Sequence, residues 1–271
     1  MTDVFVDRSA GPLRVEVLHH FRVLGPHFSG NLSESAEWVI AQLAVGDRPQ
    51  TRDALAGALW PDRADRDALA TVRRALWRVN RAAPGLVHRA GHYLALAAEV
   101  ELDLRDLYRI ADDVAAGMTS QLDSRAVRLL ESELLPQWSF DWLESCRESL
   151  RQLRLHTLET VARTNLDAGR PGAALTTALA AVGVDPLRES AHRIVVAAHL
   201  REDNTVAALR HYSRYRDQLW HELQLRPSRQ MQTLIESSGA AAAVGSVPPR
   251  GRAGRSHTAL RSVRTNTGTR G

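Results

Sequence analysis

Between residues 166 and 209 the chain echoes itself at an interval of 34 residues. Leu166 is matched by Leu200, Ala174 by Ala208 and Leu175 by Leu209. That interval is the length of a tetratricopeptide unit, a helix–turn–helix that must stack on a neighbour to bury its apolar face. The alanines are small side chains suited to close helix crossings. Pro186, after Asp185, stands where one helix pair hands over to the next. From Leu102 onward the apolar spacing is helical nearly throughout. This half of the chain is therefore expected to be an all-α stack of helix pairs.

The front half reads differently. Leu13–Leu18 alternates apolar and polar side chains, and Phe21–Leu24 does so more loosely, so both are strand material. Gly25-Pro26 interrupts them. A first helix is expected around Ala36–Ala44, with Trp38, Val39 and Leu43 inward. A second follows Thr51, a good N-cap, and stops at Pro61. Asp62 or Asp65 is expected to cap a third helix running to about Ala83. Leu86–Arg89 and Tyr93–Leu96, about the turn Ala90-Gly91, read as a β-hairpin. Strand, three helices and a hairpin make a winged helix over 13–98, with an abbreviated N-terminal sheet. The helical domain follows over 99–238. Residues 239–271, built mainly from Ala, Gly, Ser, Thr, Pro and Arg, are expected to be a disordered tail. The fold class expected is mainly α.

Charge is distributed unevenly. Residues 1–98 hold 12 Arg and 10 acids, residues 99–238 hold 17 Arg and 21 acids, and the tail holds 6 Arg with no acid. An acidic body is thus flanked by two basic regions, the pattern of a chain that faces a polyanion. Every one of the 35 basic residues is arginine. Without lysine, a P-loop, a Schiff-base enzyme and a kinase are all excluded. One cysteine, Cys146, allows neither an intrachain disulfide nor a thiolate zinc site.

The third helix concentrates the basic character. At 100° per residue Leu69, Val72, Leu76 and Val79 share one stripe, which should face the core. Arg74, Arg78 and Arg81 lie nearly opposite, with Arg66 and Arg73 toward the flank. Between Ala68 and Ala98 there are five arginines and no carboxylate, whereas a solvated helix gains from pairs of opposite sign. This pattern suits a recognition helix that contacts phosphates and guanine edges in the major groove of duplex DNA. Ala70 would allow close approach. Trp77 is expected to pack on the hairpin, the alternative being the sugar–phosphate backbone. Arg89 and His92 sit where a wing reaches adjacent phosphates.

Leu59-Trp60-Pro61-Asp62 and Thr71–Val79 resemble the DNA-binding domain of the Streptomyces antibiotic regulatory proteins. Leu134-Leu135-Pro136, Trp142, Arg147–Arg154, Asp185–Arg193, Ala208–Tyr212 and Leu223–Ser228 resemble that family's bacterial transcriptional activator domain. The resemblance spans roughly residues 13–236. It implies an activator that binds direct repeats as a dimer and recruits RNA polymerase. Arg66, Arg73, Arg74, Arg78 and Arg81 would be its DNA-facing set, and the turn Pro61, Asp62, Arg63 and Ala64 its polymerase-facing loop. Two departures stand out. The stretch 26–33 is shorter than the strand pair usual there. No receiver or nucleotide-binding module accompanies the two domains, so control by either is not expected.

No other chemistry emerges. His192 and His199 lie two turns apart on one helix and read as satisfied or surface histidines rather than metal ligands. Asp112-Asp113, Glu131/Glu133 and Glu202-Asp203 lack partners for acid–base work. No catalytic residue, cofactor or metal is expected. Met1–Pro12 lacks the apolar run of a signal peptide, and no stretch is long enough to span a membrane. The reading is therefore a cytoplasmic, nucleoid-associated regulator. The alternative is a tetratricopeptide scaffold whose winged helix has lost DNA binding.

Overall fold

The computed structural model describes residues 11–237, apart from positions 26, 27, 29 and 47. The elements run β1 (Arg14–Glu16), β2 (Arg22–Leu24), α1 (Glu34–Val45), β3 (Gln50–Thr51), α2 (Arg52–Leu59), α3 (Asp65–Ala82), β4 (Val87–Ala90), β5 (Tyr93–Leu96) and β6 (Glu101–Leu102). Helices follow: α4 (Asp103–Ala115), α5 (Ser124–Glu131), α6 (Asp141–Asp167), α7 (Pro171–Val184), α8 (Glu189–Arg201), α9 (Thr205–Leu223) and α10 (Arg229–Glu236). A mainly helical chain with a small N-terminal sheet is what the sequence led us to expect. The tail beyond residue 238 lies outside the described residues.

Two three-stranded sheets frame the front helices, ordered β2-β1-β6 and β3-β5-β4. In the first, Val15 pairs with Val23 antiparallel and with Leu102 in parallel, and all three side chains are buried. Its third strand, β6, thus comes from beyond the hairpin. The short strands β3 and β6 have no readable alternation, since two residues cannot show a period.

α2 begins as expected, with Thr51 Oγ1 accepting the Ala54 N–H at 3.2 Å. α3 does not. Its N-cap is Ala64, without a side-chain cap bond, and Asp65 lies inside the first turn. There the carboxylates of Asp65 and Asp67 complement the helix dipole instead of capping. The hairpin turn is Gly91-His92, because Ala90 pairs with Tyr93. Gly91 takes φ 61°, which only a residue without Cβ adopts cheaply in such a turn.

The helical half reproduces the 34-residue echo in its geometry. α6 ends at Asp167 and α8 at Arg201; α7 begins at Pro171 and α9 at Thr205. Both turns carry a left-handed residue, Gly169 (φ 71°) and Asp203 (φ 56°). Both close with the same wide bond, Arg170 N–H to Asn165 O (2.8 Å) and Asn204 N–H to His199 O (2.9 Å). Ala174 and Ala208 are fully buried.

The two halves share one core. Leu18 bridges Leu134, and Leu135 N–H donates to Val17 O at 3.0 Å. The Asp103 carboxylate accepts the N–H groups of Val17 and Leu18 at 2.8–3.0 Å. Burial pushes that carboxyl up to about 6, against the downward pull of its N–H donors. Among the described residues no helix is long and apolar enough to cross a membrane.

Candidate nucleic-acid interface

α3 is strongly two-faced. Ala68, Val72, Ala75, Leu76, Val79 and Ala82 are buried, while Leu69 is only half-buried. Arg66, Arg73, Arg74, Arg78 and Arg81 are all exposed on the other side. Among the described residues the ion pairs are made by Arg14 and by arginines from Arg109 onward, so none falls on α3. Long cationic side chains with no counter-charge repel one another along the helix. Folding alone gives no return for that arrangement.

The hairpin adds two of the expected residues. Arg89 lies on β4 opposite Leu94, and His92 occupies the turn; both are exposed. Beside them Tyr93 is 53% exposed, a residue the sequence reading placed in the strand without a role. An aromatic ring at the hairpin tip can lie on a sugar or a base face.

Trp77 corrects an expectation. It does not pack on the hairpin: it is 60% exposed, with the Arg81 guanidinium 5.5 Å from its ring centroid. Trp77 lies on the face of α3 away from the buried stripe Val72, Leu76 and Val79. Trp77 therefore stands among the arginines on the outer face.

The turn Pro61–Ala64 is exposed at all four positions. Its backbone folds back, with Arg63 N–H donating to Trp60 O at 3.2 Å. The Arg63 side chain turns toward α3, where Nη1 donates to Thr71 Oγ1 at 3.5 Å. Arg74 Nη2 donates to the same oxygen at 3.4 Å, and Thr71 Oγ1 in turn donates to Asp67 O at 2.9 Å. One hydroxyl can fill all three roles.

An aromatic seam holds the front half against the helical half. Trp38 lies between Trp60 (6.0 Å) and Phe140 (4.9 Å, edge-on), and Phe21 stacks on Trp138 at 5.5 Å. Contacts of this kind add modestly to the area they bury. Scattered tryptophans gave no sequence signal for the seam, because its members come from four separated segments.

His192 and His211 are structural. His192 is buried, bonds Pro186 O through Nε2 (2.9 Å) and meets His211 at 2.8 Å. Nε2 donates to the carbonyl, and in the neutral imidazole Nδ1 then accepts from His211. Burial holds both below the ordinary imidazole range, His211 at about 4. Among the described residues no group of three His, Cys, Asp or Glu could hold a metal ion.

Comparison with known proteins places the chain. The family described as the bacterial transcriptional activator domain matches residues 95–237. Regulatory protein AfsR of Streptomyces coelicolor is 30% identical over 240 residues, a match covering 84% of this chain and 24% of AfsR. The chain therefore spans about a quarter of that relative's length. A solved structure of Mycobacterium tuberculosis EmbR, in complex with a low-affinity phosphopeptide, has the same fold at a TM-score of 0.60 and 19% identity. That likeness covers 84% of this chain and 65% of the EmbR chain.

Proposed function

The chain belongs to the bacterial transcriptional activator domain family, and from that premise we propose that it is a sequence-specific DNA-binding regulator that activates transcription. The observation that carries this is the row of exposed, unpaired arginines on α3: Arg66, Arg73, Arg74, Arg78 and Arg81. Laid in a major groove, their planar forks match phosphate oxygens and the O6/N7 edge of guanine. Arg89 and His92 of the hairpin then reach the flanking backbone as a wing.

The resemblance to Streptomyces antibiotic regulatory proteins supplies the finer reading. The protein acts in the cytoplasm at the nucleoid, as a homodimer on direct repeats. RNA polymerase meets the turn Pro61, Asp62, Arg63 and Ala64. Residues 13–98 form the reader, 99–238 the activator domain, and 239–271 a basic tail. β1 pairs with β6, and Val17 and Leu18 just beyond β1 donate to Asp103, so backbone and side-chain bonds join the reader to the activator domain.

The test is a mobility-shift titration of the full chain on a duplex selected from a random pool, at two salt concentrations. Arg74→Ala and Arg78→Ala should each weaken the selected duplex by about 1–3 kcal/mol for a base contact. For a phosphate contact they should instead flatten the salt dependence. Unchanged binding in both variants would contradict the assignment of α3.

A further inference from the structure

An open cleft of about 410 Å³ lies between α3 and the start of α1. Three guanidiniums line it, those of Arg63, Arg74 and Arg78. Two of them, Arg63 and Arg74, come to the same Thr71 hydroxyl at 3.5 and 3.4 Å. Like charges drawn to one neutral oxygen repel unless an anion joins them. Glu34 lies at the rim, but no carboxylate is within ion-pair reach of these arginines among the described residues. Trp38 and Trp60 line the cleft too and form its apolar wall.

Arg63 is the informative member. It does not belong to α3, so helix periodicity does not account for its place. The turn after α2 brings it back beside Arg74. Guanidiniums in this arrangement present several N–H donors to a single tetrahedral anion, the geometry suited to phosphate.

We propose that this cleft binds one phosphate group and that, on DNA, the group is a backbone phosphate beside the groove occupied by α3. The proposal rests on the DNA-facing reading of α3 and extends it. Arg63 becomes a phosphate ligand within the turn assigned to polymerase, so the same turn touches both partners. Thr71 is a positioning residue that holds the two forks together, and Glu34 is a counter-charge that limits the affinity.

The experiment has two arms on the full chain. In the first, binding to the selected duplex is measured across a salt series. Arg63→Ala should lower the slope of log K against log salt by about 0.9, the value for one phosphate contact, without changing which duplex is preferred. Arg63→Lys should keep the slope while binding more weakly, because charge is retained and the fork is lost. Glu34→Gln should tighten binding roughly threefold, the scale of one exposed charge contact. In the second arm, inorganic phosphate without DNA is titrated while the Nε–Hε resonances of Arg63 and Arg74 are followed. They should shift saturably, more than that of Arg210, an exposed arginine on α9. An unchanged slope in Arg63→Ala overturns the backbone contact. Phosphate shifts no larger than at Arg210 overturn the cleft as an anion site. Phosphate shifts in a chain that binds no duplex would uphold the anion site while refuting the DNA reading.

Discussion

Arginine plays opposite parts in the packed interior of the helical half and on α3. In the helical half Arg147, Arg154, Arg163 and Arg188 act as mortar, although others there, such as Arg210, stand exposed. Arg147 donates to the carbonyls of Leu134, Leu135 and Trp138 and pairs with Glu144 at 2.6 Å. Arg154, almost fully buried, donates to Leu130 O at 2.7 Å. Arg188 and Arg163 both pair with Glu159, whose side chain is 3% exposed, at 2.8 and 2.6 Å. On α3 the same residue type stands exposed with no carboxylate paired to it among the described residues. Net charge therefore says little about where a polyanion binds. The satisfaction of each guanidinium says much more.

That contrast can be broken by mutation, and the largest effects should fall in the helical half. Arg147→Ala strands three carbonyls of the segment that joins the front sheet to α6. It should cost about 3 kcal/mol of stability, read from denaturant midpoints. Wild-type stability there would mean that the mortar is ornamental.

Glu159→Gln should cost about 2 kcal/mol by removing the charge that two arginines share. Burial alone would raise the Glu159 carboxyl, yet Arg188, Ser190 and Arg163 together hold it below its ordinary value. A carboxylate depressed in the folded state contributes stability above its unfolded pKa and loses it as pH falls through the folded one. Wild-type stability should thus drop on acidification below about pH 4.3, and more steeply than that of Glu159→Gln. Parallel pH profiles for the two proteins would rule out this pairing as a source of stability.

The α3 arginines should behave in reverse. Arg73→Ala should leave the unfolding midpoint within about 0.5 kcal/mol, as surface substitutions do, while weakening DNA. A stability loss matching that of Arg147→Ala would erase the distinction between the halves. The smallest effect is expected at Trp77, where alanine removes only an exposed cation–π contact with Arg81. About 0.5 kcal/mol of stability should go, measured by thermal unfolding.

Much of this layout could be read from residues alone. The echo of Leu166, Ala174 and Leu175 at 34 residues located the stacked helix pairs, because buried positions recur wherever the same turn recurs. The apolar stripe Val72, Leu76 and Val79 fixed which side of α3 faces out, since 100° per residue leaves no choice once the core side is known. Other features depend on contacts between distant segments. β6 exists only because Leu102 finds Val15, and whether the outward-facing Trp77 meets the hairpin depends on where that hairpin folds. The turn of Arg63 toward Thr71 was equally invisible, since it follows from the path of one backbone loop.

The DNA-binding surface is assigned to the cluster of arginines on α3 that lack a carboxylate partner, not to positive charge as such. The most direct test compares the salt dependence of duplex binding for two double variants of equal charge loss. Arg74→Ala/Arg78→Ala removes two unpaired arginines, and Arg109→Ala/Arg193→Ala removes two that pair with carboxylates. If both α3 arginines touch phosphates, the first should flatten the slope by about 1.8 and the second should leave it at the wild-type value. Equal slopes and equal affinities for the two variants would contradict the account.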